Sequence, residues 1–222
     1  TLAAADRGIP VFCEKPLTDA SKSAERLARH CRKLNIPLME AFVFRYHPQT
    51  RVVRTLIKEG RIGIVSQITG HMSFFFDRAE LSSDIRGDSS LGGGGLLDVV
   101  CYPVAYIRHL LDVEPLTVQA AIRYDSHSGI DTAASLLLEL PASVQGIAMG
   151  GFDDHRHRGI TITGSTGTIY LPAPYHPPQE SLIYLSLSDR REVINLDNGC
   201  PAFAPAITHF QDRLSAPAEA PL

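Results

Sequence analysis

Three side chains of the sequence, a lysine, an aspartate and a tyrosine, could together move a proton to or from a hydroxyl group. A tyrosine with its ordinary pKa of about 10 is a poor base near neutral pH unless a neighbouring cation favours the phenolate. Lys15 is the candidate for that cation at Tyr102. Asp98 precedes Tyr102 by four residues, a spacing that places two side chains next to each other on a helix. Asp98 could therefore orient Tyr102 or Lys15, or bind a substrate hydroxyl.

Lys15 comes two residues after a short apolar segment, residues 9–13, that is typical of a strand in a parallel sheet. Ligands of open α/β sheets bind beyond the carboxyl ends of the strands, so Lys15 would face the ligand crevice. Pro16 favours an extended conformation for Lys15. From Glu14-Lys15-Pro16 alone, a surface lysine beside a helix cap is an equally good interpretation.

Asp98 and Tyr102 belong to a segment that starts with four glycines, 92–95, and continues as a predicted helix over 96–111. Its apolar residues form one stripe at helical spacing: Leu96, Val99, Val100, Pro103, Ile107, Leu110 and Leu111. The glycines lack the spacing and the lysine of phosphate-binding loops, so they indicate room for the close approach of another group. Pro103 predicts a kink beside Tyr102. Considered alone, Tyr102 is more commonly a tyrosine at the edge of the core.

Helices and strands alternate over the first 44 residues: a helix end at 2–7, a strand at 9–13, a helix at 20–34 and a strand at 38–44. Continuously apolar strands joined by helices predict a parallel sheet that is buried on both faces. Residues 1–44 are therefore predicted to belong to an α/β domain. The boundary falls near residues 41–48, and we place the second domain at 45–222.

Strands without intervening helices dominate the second domain, after a helix at 48–59. They are predicted at 63–76, 116–124, 130–140, 144–152, 159–164, 168–171 and 182–187. This pattern predicts an α+β domain with a large, mainly antiparallel open sheet that is covered on one face. An amphipathic helix is expected at 206–214, followed by a tail rich in proline and alanine that has no core to join.

Composition limits the function classes. The chain has 21 basic and 24 acidic residues, a net charge of -3 and a pI near 6.3, so it has no basic surplus for a nucleic-acid backbone. Uninterrupted apolar runs stay far below the roughly 20 residues of a membrane span. The cysteines at 13, 31, 101 and 200 form no C-x-x-C pair, which favours reduced thiols, a cytoplasmic location and no structural zinc.

A metal site at the histidines 155 and 157 is a weaker interpretation of the sequence. His155 and His157 are at strand spacing within Asp153-Asp154-His155-Arg156-His157, so both could face one metal ion. Arginines alternate with them and no cysteine is near, which favours a solvated strand entry. We therefore predict that the protein has no metal site.

Several motifs together resemble the glucose-fructose oxidoreductase/inositol dehydrogenase family, also called Gfo/Idh/MocA. They are Glu14-Lys15-Pro16, residues 39–48 (MEAFVFRYHP), Asp84-Ile85-Arg86, the glycine-rich segment that ends in Asp98 and Tyr102, and residues 164–169 (GSTGTI). The match runs from about residue 2 to residue 171. The motifs at 39–42 (MEAF) and 101–103 (CYP) are most similar to those of the branch of xylose-type aldose 1-dehydrogenases and dihydrodiol dehydrogenases.

The resemblance implies that residues 1–44 are the remnant of an NAD(P)-binding Rossmann domain. It implies that 45–222 form a substrate-binding domain whose open sheet often serves as an oligomer interface. The expected activity is oxidation of a hydroxyl of an aldose, polyol or cyclic diol by hydride transfer to NADP or NAD. The expected partners are therefore a small-molecule substrate and further copies of the chain, without nucleic acid or membrane.

The resemblance also assigns roles to residues. A proton must leave oxygen as hydride leaves carbon, so a base is needed within hydrogen-bond reach of the hydroxyl. The catalytic residues would be Lys15, Tyr102 and Asp98. The cofactor-binding residues would be Glu14, Lys15, Pro16 and Arg45. The substrate-binding residues would be His47, Arg86, Asp98 and Tyr102, among which His47, Arg86 and also Arg45 are the weaker candidates.

The chain departs from the family pattern at its start. The first strand, the G-x-G-x-x-G turn and the residue that selects NAD or NADP would all precede Thr1. We therefore interpret the sequence as an incomplete portion of an oxidoreductase. The alternative is a non-catalytic module for sheet-mediated oligomerisation or ligand binding.

Overall fold

A computed structural model describes residues 1–197, 199 and 201–215, which form a small parallel sheet and a large mixed sheet. Cys200 and the predicted tail from residue 216 onward lie outside the described residues. The arrangement confirms the predicted fold class, a piece of parallel α/β structure followed by an α+β domain with a large, mainly antiparallel sheet.

The small sheet contains two strands that pair in parallel, β1 (Val11–Cys13) and β2 (Leu38–Glu40). Helix α1 (Leu2–Ala5) precedes β1, and helix α2 (Ser21–Lys33) connects the two strands. The predicted strand at 38–44 is too long, since a 3-10 turn (Val43–Tyr46) follows β2. Val43 and Phe44 are buried in this turn, and a buried turn and a buried strand share the same apolar signature.

The last helix, α6 (Ala204–Ser215), returns to the small sheet. The Phe12 and Phe210 rings stack with centroids 5.6 Å apart, and the Tyr46 and His209 rings stack at 4.5 Å. The predicted amphipathic helix near the end of the chain is thus present and packs on the N-terminal unit. The contact between Phe12 and Phe210 crosses the predicted domain boundary at residue 44, and that boundary remains a proposal.

The large sheet has the strand order β10-β9-β8-β7-β3-β6-β5-β4 among the described residues. Its strands are β3 (Val65–Ser73), β4 (Thr117–Tyr124), β5 (Asp131–Glu139), β6 (Gln145–Gly151), β7 (His157–Gly164), β8 (Gly167–Leu171), β9 (Glu180–Leu187) and β10 (Arg191–Asp197). β3 pairs in parallel with β6, and the other neighbouring pairs are antiparallel. β10 was not predicted, because charged residues at both of its ends leave only three apolar residues, Val193, Ile194 and Leu196.

One face of this sheet carries the main hydrophobic core. Helix α3 (Pro48–Lys58) and helix α5 (Cys101–Leu111) pack there, and the short helix α4 (Arg78–Leu81) lies between them in sequence. Gly70 of β3 lets α5 approach closely, because a Cβ atom at Gly70 would lie 2.6 Å from the Cβ of Pro103. The opposite face, which we call the open face, presents Leu137, Tyr170, Tyr184 and Val193, whose exposed fractions are 37% to 59%.

The helical stretch Ser89–Leu111 is 23 residues long and apolar enough to cross a membrane by length and composition alone. This stretch is not an uninterrupted apolar run, since polar residues such as Asp98, Arg108 and His109 interrupt it, so it lies outside the expectation drawn from such runs. Core helices of globular proteins pass the same test. In this structure α5 packs on the large sheet, and Tyr106 and Ile107 are fully buried.

Candidate active site

The segment that carries Asp98 and Tyr102 is an irregular helix. Residues Leu96–Val100 form a π-helical turn that leads directly into α5, and the Cys101 N–H donates to the carbonyl of Leu96. Such turns are rare and frequently occur at functional sites. The π-turn ends at Val100, two residues before Tyr102, and the kink expected from Pro103 stays a prediction.

The glycines ahead of this turn accommodate another part of the same chain. A Cβ atom at Gly94 would lie 2.1 Å from Oδ1 of Asp131, and one at Gly95 would lie 3.2 Å from the carbonyl oxygen of Thr132. The Asp131 carboxylate accepts the N–H of Leu96, so it caps the start of the helix. Burial raises the pKa of Asp131. The group that approaches Gly94 and Gly95 is therefore strand β5.

Lys15 and Asp98 form a partly buried ion pair at the carboxyl end of β1. The Lys15 ammonium donates to Oδ1 of Asp98 at 2.8 Å and to the backbone carbonyl of Asp98 at 2.5 Å. Their side chains are 11% and 19% exposed, so solvent screens the pair only partly. Both hydrogen bonds of the Lys15 ammonium go to the same residue, Asp98, which fixes the position of the ammonium.

Arg86 pairs with the second carboxylate oxygen of Asp98. Its Nε donates to Oδ2 of Asp98 at 2.9 Å, and its Nη1 donates to Oδ1 of Asp84 at 3.1 Å. Burial acts to lower the pKa of Arg86, but Asp98 and Asp84 together raise it. The Asp98 carboxylate thus lies between two cations, Lys15 and Arg86.

The Tyr102 ring lies in an aromatic pocket and is 5% exposed. Phe42 packs against it edge-on, and Tyr175 packs at a tilt, each with centroids 5.7 Å apart. The Lys15 ammonium lies 4.9 Å from the ring centroid. The Tyr102 hydroxyl oxygen lies 3.1 Å from Nε2 of His176. Among the described residues, Lys15 makes no hydrogen bond to that hydroxyl.

Electrostatics keep Tyr102 protonated in this structure. Burial raises its pKa well above the ordinary value, and the nearby Cys101, Glu14 and Asp98 act in the same direction. The nearby Lys15 does not offset the effect of burial on the pKa of Tyr102 in this state, and the preference for phenolate next to Lys15 stays a prediction. Tyr102 is therefore a phenol, which can donate a proton, when no substrate is bound.

His176 was missed by the sequence analysis, although it contacts Tyr102. It lies in the loop between β8 and β9, 74 residues after Tyr102. Burial lowers its pKa, and Arg158 and Lys15 lower it further, while Glu14 raises it. The local signal was a loop rich in proline after a strand, the kind of segment on which functional residues are common.

Three other predicted residues lie apart from this cluster or at its edge. Glu14 is exposed and acts on Tyr102 and His176 only through its charge. Arg45 is exposed and lines a polar cavity with Arg108 and His109 near the end of α5. His47 is fully buried and caps α3, since its Nδ1 accepts the Gln49 N–H at 3.1 Å.

His155 and His157, the candidates for a metal site, do not belong to a set of metal ligands among the described residues. The His157 ring packs against His71 with centroids 4.2 Å apart. Within the ranges that the structure describes, no group of three or more histidine, cysteine, aspartate or glutamate side chains is arranged to hold a metal ion.

Comparison with known proteins places the central part of the chain in a described family. Residues 50–170 match the sequence profile of the GFO/IDH/MocA C-terminal domain. A dTDP-3,4-didehydro-2,6-dideoxy-alpha-D-glucose 3-reductase of Saccharopolyspora spinosa is 34% identical over 171 residues, which are 77% of this chain and 50% of that protein. A D-xylose 1-dehydrogenase (NADP(+)) of Haloferax volcanii is 36% identical over 151 residues, 68% of this chain and 45% of that protein. The chain spans about half the length of these curated relatives.

A solved structure has the same fold. It is a 3-ketoreductase from Actinomadura kijaniata in complex with NADP and TDP-benzene. It matches with a TM-score of 0.86 at 28% identity, over 96% of this chain and 66% of that one. The matched length includes both the small sheet and the large sheet.

Proposed function

Because the chain belongs to the Gfo/Idh/MocA family of oxidoreductases, we propose that it carries the proton-transfer and substrate-binding part of an NADP- or NAD-dependent enzyme. The membership predicted from the motifs is confirmed. The proposed reaction transfers a hydride to or from a hydroxyl-bearing carbon of an aldose, polyol or cyclic diol. The observation that carries the proposal is the convergence of Lys15, Asp98 and Tyr102, although Lys15 and Asp98 are 83 residues apart in sequence.

The chain's own residues handle the proton. Tyr102 holds the transferable proton, since its burial keeps the phenol protonated. In the reductive direction the phenol donates to the substrate oxygen, and in the oxidative direction the same oxygen accepts the proton of the alcohol. Lys15 lies over the ring and stabilises negative charge that develops there. Asp98 holds Lys15 in place, so we assign these three residues as the catalytic set.

The nicotinamide would supply or accept the hydride when it is bound. Glu14, Lys15 and Pro16 leave the carboxyl end of β1, the position at which open α/β sheets bind their ligands. Their placement therefore fits the nicotinamide end of a crevice, with Arg45 as a further candidate at the start of the second domain. The sequence contains no G-x-G-x-x-G turn, so the proposal concerns this end of the cofactor alone.

For the substrate we propose contacts with Asp98, Tyr102 and Arg86. The Arg86 side chain is 39% exposed although it is paired with Asp98, so it can also bind a substrate oxygen. His47 would act indirectly, because it caps α3 from a buried position.

The open face supports the proposal of a homo-oligomer in the cytoplasm. It presents apolar and aromatic side chains on the adjacent strands β8, β9 and β10 and, beyond β7, β3 and β6, on β5. Exposed apolar patches of this kind mark interaction surfaces. Cys13, Cys31 and Cys101 are free thiols, which fits a reducing compartment.

The test combines binding with turnover. NADPH and NADH are titrated by fluorescence, and oxidation of a panel of aldoses, polyols and cyclic diols is followed by the absorbance of the reduced cofactor. We expect saturable binding of at least one cofactor and turnover of at least one panel member. A protein that binds neither cofactor and turns over no substrate would instead support the non-catalytic alternative.

A further inference from the structure

We propose that His176 is a positioning residue for Tyr102: its Nε2–H donates to the Tyr102 hydroxyl oxygen and so directs the phenolic proton towards the substrate. The inference rests on the proposed role of Tyr102 as the proton carrier. It concerns a residue outside the predicted catalytic set.

The loop that carries His176 is anchored next to Tyr102. Tyr175, the residue before it, is fully buried and donates its hydroxyl to the carbonyl of Gly159 at 3.1 Å. The Tyr175 ring also packs against Tyr102 and Tyr106, with centroids 5.7 Å and 6.0 Å apart. The His176 ring itself lies 5.0 Å from the Tyr102 ring at 60°. The imidazole is therefore placed by packing as well as by its hydrogen bond.

The surroundings of His176 set its protonation state. Burial and the charges of Arg158 of β7 and Lys15 after β1 disfavour an imidazolium, and Glu14 opposes them only in part. His176 is therefore a neutral imidazole at neutral pH, in which one ring nitrogen carries a proton and the other can accept one. A tyrosine hydroxyl has one proton and can also accept a bond. If Nε2–H donates to that oxygen, the proton of Tyr102 remains available to the substrate.

The same contact strengthens during the reaction. In the reductive direction the O–H bond of Tyr102 breaks, the proton bonds to the substrate oxygen, and the electron pair stays on the tyrosine as phenolate. A hydrogen bond to an ionised oxygen is about twice as strong as one to a neutral oxygen. The Nε2–H of His176 and the ammonium of Lys15 would then stabilise one negative charge from two sides.

Nuclear magnetic resonance tests the direction of this bond without any turnover. The 222-residue chain is labelled with ¹⁵N-histidine, and the His176 ring is assigned by its loss in His176→Gln. We expect a protonated, pyrrole-type Nε2 at pH 7.5, and we expect its resonance to move in Tyr102→Phe. An unprotonated, pyridine-type Nε2, or a signal that Tyr102→Phe leaves unchanged, would overturn the proposal.

Kinetics of two variants separate positioning from packing. His176→Leu keeps an apolar side chain but removes the donor, whereas the amide nitrogen of His176→Gln can replace Nε2–H. We expect His176→Leu to lower kcat about 10- to 100-fold with little change in KM, the scale of one hydrogen bond to a charged group. We expect His176→Gln to recover most of that loss.

Equal losses in both variants, or a change confined to KM, would contradict the positioning role. Thermal unfolding of each variant shows whether it has folded. If the unmodified protein shows no turnover, the proposed function fails, and the resonance experiment still decides the direction of the bond.

Discussion

The two ends of helix α5 both carry clusters of polar side chains, but they differ in what their donors contact. At the start, Asp98 pairs with Lys15 and Arg86, and Tyr102 faces a neutral histidine. At the end, Arg54 donates to the backbone carbonyl of His109, and Arg108 pairs with Glu114.

Helix geometry explains this difference. The last carbonyls of a helix have no partner within the helix, and cations are stabilised near them. Arg54 satisfies one of those carbonyls, so the cluster at the end of α5 completes the helix. At the start, the proposed bond from Nε2–H of His176 leaves the proton of Tyr102 for a ligand. Polar clustering alone therefore does not identify a site, whereas a donor left for a ligand does.

The largest expected effect is a loss of turnover when residues at the start of α5 are substituted. Tyr102→Phe removes the transferable proton, and Lys15→Met removes the ammonium over the ring, so we expect each to lower kcat by about 100-fold or more. Steady-state assays with the preferred cofactor measure this loss. Near-normal turnover in either variant would remove that residue from the catalytic set.

The matched control for this prediction lies at the other end of α5. His109→Gln changes a partly buried ring next to Arg54 but leaves the start of the helix intact. We expect its kcat to stay within about threefold of the unmodified protein, because surface or structural changes away from the reacting atoms affect turnover little. A loss as large as that of Tyr102→Phe would mean that the two ends are functionally coupled.

The second effect concerns stability. Asp98→Asn leaves two cations facing an amide in a partly buried place, and we expect the free energy of unfolding to fall by about 2 kcal/mol. Glu114→Gln breaks the pair at the other end, where the Glu114 side chain is 71% exposed, so solvent screening limits the loss to below about 1 kcal/mol. Urea unfolding at one pH compares the two variants. Equal losses would show that burial does not separate the two clusters.

Local sequence patterns predicted the parts of the site that depend on one element. The apolar run before Glu14 indicated a strand whose end presents Lys15, and the structure places Lys15 there. The spacing of Asp98 and Tyr102 predicted neighbours on one helix, and Lys15 contacts both of them. These inferences need only the periodicity of a strand or of a helix.

Contacts made across the fold were not predictable in the same way. His176 reaches Tyr102 because the strand order returns the loop after β8 to the start of α5, and the linear sequence does not contain that order. The pairing of Arg86 with Asp98 likewise depends on how the turn at Ile85–Gly87 folds against the π-turn. The capping of helix α3 by His47 was also visible only in the structure, where the His47 ring accepts the backbone N–H of Gln49.

The smallest effect is the pH dependence of stability, and it compares a histidine at each end of α5. Burial together with Arg45 and Arg54 lowers the pKa of His109 to about 4, and the pKa of His176 is also lowered. In the unfolded chain each histidine binds a proton near pH 6.5, so the unfolded state takes up protons that the folded state refuses. Stability is therefore complete above about pH 6.5 and falls as the pH decreases towards 4.

Substitution shows which end contributes more to this loss. His109→Gln should flatten the decrease between pH 6.5 and pH 4 more than His176→Gln does, since the pKa of His109 is lowered as far as about 4, the larger of the two shifts. Urea unfolding of both variants at pH 7.5 and pH 5 measures the slopes. If His176→Gln flattened the curve more, the stronger desolvation would lie at the start of α5, and His176 would be held more tightly against Tyr102 than its position in a loop suggests.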